Sequence, residues 1–87
     1  MVLNAQDAHP EINGVQKPVL TPREYRVIKA LADAKARGQP RLIGPELDEA
    51  SNTAEARKVL KAMVKRDRDW RSIILFPKRK GLGYGLA

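Results

Sequence analysis

Lys58, Lys61 and Lys65 recur at intervals that stack them along one side of a helix, with Arg57 beside the first of them. A second cationic cluster, Lys78-Arg79-Lys80, runs into Gly81 near the end of the chain. Ammonium groups act as compact charges that neutralise phosphates, whereas a guanidinium fork reads a guanine edge through two hydrogen bonds. The chemistry these residues suit is recognition of a polyanion. Catalysis is poorly served by the same chain. It contains no Cys, which removes thiolate nucleophiles, thiolate metal sites and disulfides together. Its single histidine, His9, falls in a segment that reads as a tail, so the usual general base and metal ligand is missing from the rest. No paired carboxylates or nucleophile–base set can be assembled outside that tail. Neither an enzyme activity nor a cofactor nor a metal is expected.

The charge map sharpens this reading. The 87 residues hold 17 Lys+Arg and 10 Asp+Glu, a net charge of +7. Residues 1–56 carry 7 basic and 8 acidic side chains, while residues 57–87 carry 10 basic and 2 acidic ones. A surface charged only for solubility has no reason to segregate its charge so completely. The excess marks a face that meets a polyanion. The apolar inventory is modest: 37 residues, of which 11 are Ala. That supports one small domain and leaves no room for a buried cofactor cavity. The opening residues lack the basic flank and apolar run of a signal peptide, and no apolar run is long enough to span a bilayer. A cytoplasmic protein without a membrane partner is expected.

The elements that position the cations can be read from local signals. Residues 1–18, with Asn13-Gly14 and no sustained period, read as a flexible N-terminal tail, leaving residues 19–87 as the domain. Thr21-Pro22-Arg23-Glu24 is a capping box with Pro at the first helical position. Val27, Ile28, Leu31 and Ala34 then form one apolar stripe, and Gly38 with Pro40 ends the helix. Arg41-Leu42-Ile43 reads as a short strand. Gly44-Pro45 starts a two-turn helix with Leu47 and Ala50 facing inward.

Ser51-Asn52-Thr53 interrupts that helix, and Asn52 with Glu55 offers a capping box for a third, over Thr53 to about Arg66. Ala56, Val59, Leu60, Met63 and Val64 share its inner face, opposite the three lysines. Ser72-Ile73-Ile74-Leu75-Phe76 reads as a strand and Tyr84-Gly85-Leu86 as its partner. Gly81, Gly83 and Gly85 suit a turn and twisted hairpin rather than a phosphate cradle, because no helix follows them. Helix, short strand, helix, tight turn, helix and C-terminal hairpin together predict an α+β winged helix-turn-helix.

Two segments carry a family resemblance. Leu20-Thr21-Pro22-Arg23-Glu24-Tyr25 through Leu31 resembles the first helix of the OmpR/PhoB-type winged-helix domains, and Arg79-Lys80-Gly81-Leu82-Gly83-Tyr84 resembles their wing. The resemblance implies a DNA-binding domain whose third helix reads the major groove while the hairpin contacts backbone or minor groove. Those domains also have an N-terminal four-stranded sheet and usually a receiver domain. No counterpart is expected here, so phospho-acceptor signalling is not implied.

The predicted DNA-binding residues are Asn52, Arg57, Lys58, Lys61, Lys65, Lys78, Arg79 and Lys80. Arg57 and Asn52 are the candidates for base contact, Arg79 for the minor groove, and the lysines for phosphates. Arg66, Arg68 and Arg71 lie either beside the phosphate path or in pairs with Asp67 and Asp69. Trp70 reads as a core plug and Tyr84 as packing on the third helix. Alternating Ile73/Leu75 and Ile74/Phe76 would leave one strand face to be covered by the tail, by a second copy of the chain in a homodimer, or exposed.

The expected partner is double-stranded DNA, bound by a small transcriptional regulator. RNA or ribosome binding fits the charge, but no aromatics interleave with the cations to stack bases. A protein–protein interaction module would instead use the uncovered strand face.

Overall fold

The computed structural model describes Leu3 and residues 9–87. The part of the expected tail covering residues 1, 2 and 4–8 lies outside the described residues. Thr21 Oγ1 accepts the Glu24 N–H at 3.2 Å and Glu24 Oε1 accepts the Thr21 N–H at 3.0 Å, so the capping box opens helix α1, Pro22–Ala36. Gly38, at φ +83°, closes the helix: its N–H reaches the Lys35 carbonyl and the Gln39 N–H reaches Ala34. The predicted stripe of Val27, Ile28, Leu31 and Ala34 is buried.

Helix α2, Gly44–Ser51, begins with Pro45 in its first turn, and Glu46 accepts the Ile43 N–H at 3.1 Å. Leu47 is buried as predicted, but Ala50 is exposed. The inward position falls to Ser51, whose hydroxyl donates to the Leu47 carbonyl at 2.7 Å and so is satisfied without water. Helix α3 spans Ala56–Arg66 and buries Ala56, Leu60 and Met63, with Val59 and Val64 half-buried at the edges of that face.

The long apolar run after α3 does not all become strand. Arg68–Ser72 is a 3₁₀ turn, Ile73 is still helical at φ −98°, and only Ile74–Leu75 pairs, with Gly85–Leu86. The cause is Trp70, 1% exposed, which must enter the core immediately after α3 and holds the chain in a tight turn. The antiparallel register sets Ile74 opposite Leu86 and Leu75 opposite Gly85. Leu42 bridges Tyr84 through two backbone hydrogen bonds of 2.8 and 2.7 Å, attaching the short extended piece to this hairpin.

With Ile73 in a helical turn, the alternation predicted from 72–76 is lost and both Ile73 and Ile74 are buried within the chain. Tyr84 is buried with its ring edge-on to Phe76, centroids 6.0 Å apart.

The described part of the segment expected to be a tail is structured instead. Glu11–Ile12 and Val15–Gln16 form a hairpin closed by Asn13 (φ +52°) and Gly14 (φ +78°), the backbone signature of a tight two-residue turn. Ile12 is 1% exposed in the common core, and Leu20 is buried with it, while Val15 and Val19 face solvent. In chain order these two strands are β1 and β2, and the C-terminal pair, Ile74–Leu75 and Gly85–Leu86, are β3 and β4. Among the described residues the fold is α+β: three α-helices and two small antiparallel strand pairs. No helix among the described residues is long and apolar enough to cross a membrane.

Candidate nucleic-acid interface

The turn between α2 and α3 fixes where the cations start. Asn52 does not cap α3; it ends α2 in the left-handed conformation (φ +50°), where its short polar side chain is tolerated. Glu55 also has positive φ, and α3 begins at Ala56 rather than Thr53. The cap is supplied from α2: Asp48 Oδ1 accepts the Ala56 N–H at 2.8 Å. The Thr53 N–H donates to the Asp48 carbonyl at 3.1 Å, and the buried Thr53 hydroxyl donates to the Ser51 carbonyl at 3.0 Å. Asp48 thus ties the two helices at a defined angle while placing its negative charge at the positive end of α3.

From that start, Arg57, Lys58, Lys61 and Lys65 are all exposed on α3. Arg57, Lys61 and Lys65 are four residues apart in succession and rise about 12 Å along the helix from first to last. None of these three side chains has an ion-pair or hydrogen-bond partner among the described residues. Lys58 is engaged: its Nζ lies 3.0 Å from Glu55 Oε1. The hydrogen bond from Lys58, and then its charge, hold the Glu55 carboxyl below its ordinary pKa. Both side chains are more than half exposed, so the pair is weak and Lys58 can exchange Glu55 for a stronger anion.

The second cluster, Lys78, Arg79 and Lys80, is exposed on the loop between β3 and β4. This loop is set against the short extended piece by its glycines. At Gly83, φ is +86° and an added Cβ would lie 2.8 Å from both the carbonyl carbon and oxygen of Leu42. A Cβ on Gly85 would likewise run into the Pro40 carbonyl oxygen. Gly83 and Gly85 therefore let the chain pack closely on the extended piece, while Gly81, with φ +88° and nothing within 4 Å of an added Cβ, serves the turn the sequence reading expects. Arg41 adds a strut, donating from Nη1 to the Gly83 carbonyl at 3.0 Å.

These restraints bring one cation of the helix and two of the loop to one place, whereas Lys58, Lys61, Lys65 and Lys78 do not line it. Arg57 of α3 and Arg79 and Lys80 of the loop line a single shallow groove of about 370 Å³, whose floor and walls include Ile43, Gly83 and Tyr84. Lys61 and Lys65 continue from Arg57 along the helix. Asn52 is exposed in the α2–α3 turn but does not line the groove.

The arginines after the helix sort differently from expectation. Arg66 Nη1 pairs with Glu24 Oε2 at 2.8 Å, tying the end of α3 to the start of α1. Asp67 and Asp69 pair with neither Arg68 nor Arg71. Both carboxylates are taken by Lys17, whose ammonium lies 3.1 Å from Asp67 Oδ2 and closer still to Asp69 Oδ2. The hydrogen bond to Asp69 raises the Lys17 pKa against the opposing effect of burial, with Asp67 adding to the rise.

Asp67 is held below its ordinary value chiefly by the Asp69 N–H, then by Lys17. Asp48, Arg41 and Lys17 all act over distances in sequence that no local pattern encodes. No family model, curated protein or solved structure matches the chain.

Proposed function

We propose that the protein is a double-stranded DNA-binding module of the winged-helix type, working in the cytoplasm as a small transcriptional regulator. In this reading α3 enters the major groove, Arg57 meets base edges near its start, and Lys58, Lys61 and Lys65 contact phosphates. The β3–β4 loop is the wing, with Lys78, Arg79 and Lys80 on phosphates or in the minor groove. The observation that carries the reading is the shared groove of Arg57, Arg79 and Lys80, which joins cations far apart in sequence into one positive surface. Duplex DNA suits this surface better than single-stranded nucleic acid. Trp70 is buried, Tyr25 and Phe76 are half-buried, and Tyr84, though it lines the groove, is only 9% exposed, so no open ring is offered for a base to stack on.

Titration of a random-sequence duplex at two salt concentrations tests the proposal. Affinity should fall steeply between about 50 and 200 mM salt, as expected when several counterions are released. Replacing Lys58, Lys61 and Lys65 together by Ala, or Lys78, Arg79 and Lys80 together, should weaken binding and flatten the salt dependence without altering the fold. Unchanged DNA affinity in both triple variants would overturn the reading in favour of a protein-interaction role.

A further inference from the structure

Residues 57–87 contain only two acidic side chains, Asp67 and Asp69, and a single lysine from the N-terminal segment occupies both. Lys17 is held in place for this. Its N–H donates to the Pro10 carbonyl at 2.7 Å, His9 Nδ1 donates to its carbonyl at 2.8 Å, and its side chain is only 10% exposed. The burial of Ile12 anchors the hairpin that precedes it.

The consequence falls on Arg68 and Arg71. Both are exposed, and neither side chain has an ion-pair or hydrogen-bond partner among the described residues. They sit in the 3₁₀ turn Arg68–Ser72. In such a turn, residues three apart eclipse one another, about 6 Å apart along the axis. Two guanidinium forks at that spacing match one or two successive phosphates of a nucleic-acid strand. Trp70, between them in sequence, is buried and seats the turn on the core.

We propose that Arg68 and Arg71 form a second phosphate-contact site, beyond the α3–loop groove, and that Lys17 keeps it open by occupying the neighbouring carboxylates. The ligand class is the phosphodiester backbone, and the inference rests on the DNA-binding reading above. Without Lys17, the carboxylates of Asp67 and Asp69, which flank Arg68 in sequence, lose their cation and become available to pair with the arginines or to repel the phosphate. Lys17 is then a positioning residue that touches no DNA itself.

The test is the salt dependence of binding to a random duplex of about 24 base pairs by the full chain and four variants. For the double variant R68A/R71A the slope of log K against log salt should shrink by about 1.8, two phosphate contacts' worth, with affinity near 100 mM salt falling about tenfold. K17A should lose affinity in the same direction. K17A/D67N/D69N should recover it, because the carboxylates no longer compete, while the side-chain amide oxygen that D67N supplies can still accept the backbone N–H two residues on. K17R should bind like the parent chain.

A parent chain that binds DNA while R68A/R71A keeps its slope and affinity overturns this site and leaves the α3–loop reading standing. A triple variant as weak as K17A overturns the role given to Lys17, since loss of hairpin docking would then explain the defect. A parent chain that shows no salt-dependent binding overturns both readings together.

Discussion

Asp48 Oδ1 and the Ala56 N–H, eight residues apart, meet at 2.8 Å across the α2–α3 turn. This bond does what Asn52 was expected to do, and it does so from the preceding helix. Because α3 carries the cations, the angle it sets decides whether Arg57 reaches the loop groove. Asp48→Ala should destabilise the fold by about 1 kcal/mol, as for loss of a helix cap, and Asp48→Asn by less, since Asn caps nearly as well. Urea titration of the three proteins checks the ranking. Equal stability of all three would show that Ala56 needs no cap.

The Glu24–Arg66 pair gives stability a pH dependence with a defined sign. Burial pushes the Glu24 carboxyl up, but the Thr21 N–H, the Arg66 guanidinium and the Thr21 hydroxyl together hold it below its ordinary value of 4.5. A carboxylate lowered on folding contributes stability that is full above its unfolded pKa and is lost as pH falls through the folded one. Glu24→Gln keeps an acceptor for the Thr21 N–H but loses the charge. It should cost about 1 kcal/mol at neutral pH, and the difference from the parent should shrink once pH falls below the ordinary carboxyl value and be lost as it passes the lowered folded one. Urea midpoints measured across that range would contradict the assignment if the gap stayed constant.

Gly83 and Gly81 share a positive φ but not an environment. An added Cβ at Gly81 meets nothing within 4 Å, whereas at Gly83 it strikes the Leu42 backbone. Gly81→Ala should therefore cost about 1 kcal/mol of backbone strain, and Gly83→Ala about 3 kcal/mol or more. Thermal melts of the two variants separate strain alone from strain plus collision. A Gly83 variant as stable as the Gly81 variant would mean the loop moves away from Leu42 freely.

The N-terminal hairpin should behave as part of the domain. Ile12→Ala empties a fully buried site and should cost in the lower part of the range of about 2–5 kcal/mol found for such truncations. Val15→Ala, at a side chain 53% exposed, should change stability by less than about 0.5 kcal/mol. Denaturant unfolding of both variants checks the contrast, and an Ile12 variant as stable as the Val15 variant would restore the description of a tail.

The helices were legible in the linear chain because their signals are local. The Thr21–Glu24 capping box, Gly38 beyond the last turn and the stripe Val27, Ile28, Leu31, Ala34 each involve residues within a few positions of one another. The exposure of Lys58, Lys61 and Lys65 followed from the same periodicity, since burying Leu60 and Met63 turns those lysines outward.

The Asn13-Gly14 turn was equally local but stood in a stretch too short to show a strand period, and its meaning came from Ile12 finding a place in the core. The start of α3, the length of β3 and the partners of Asp67 and Asp69 were set elsewhere in the molecule, by Asp48, by Trp70 and by Lys17. Ion pairs and caps that cross between elements depend on which surfaces packing brings within about 3 Å. Charge alone allowed Asp67 and Asp69 to choose Arg68, Arg71 or Lys17. Only the docking of the hairpin chose Lys17, and so left two arginines open to solvent.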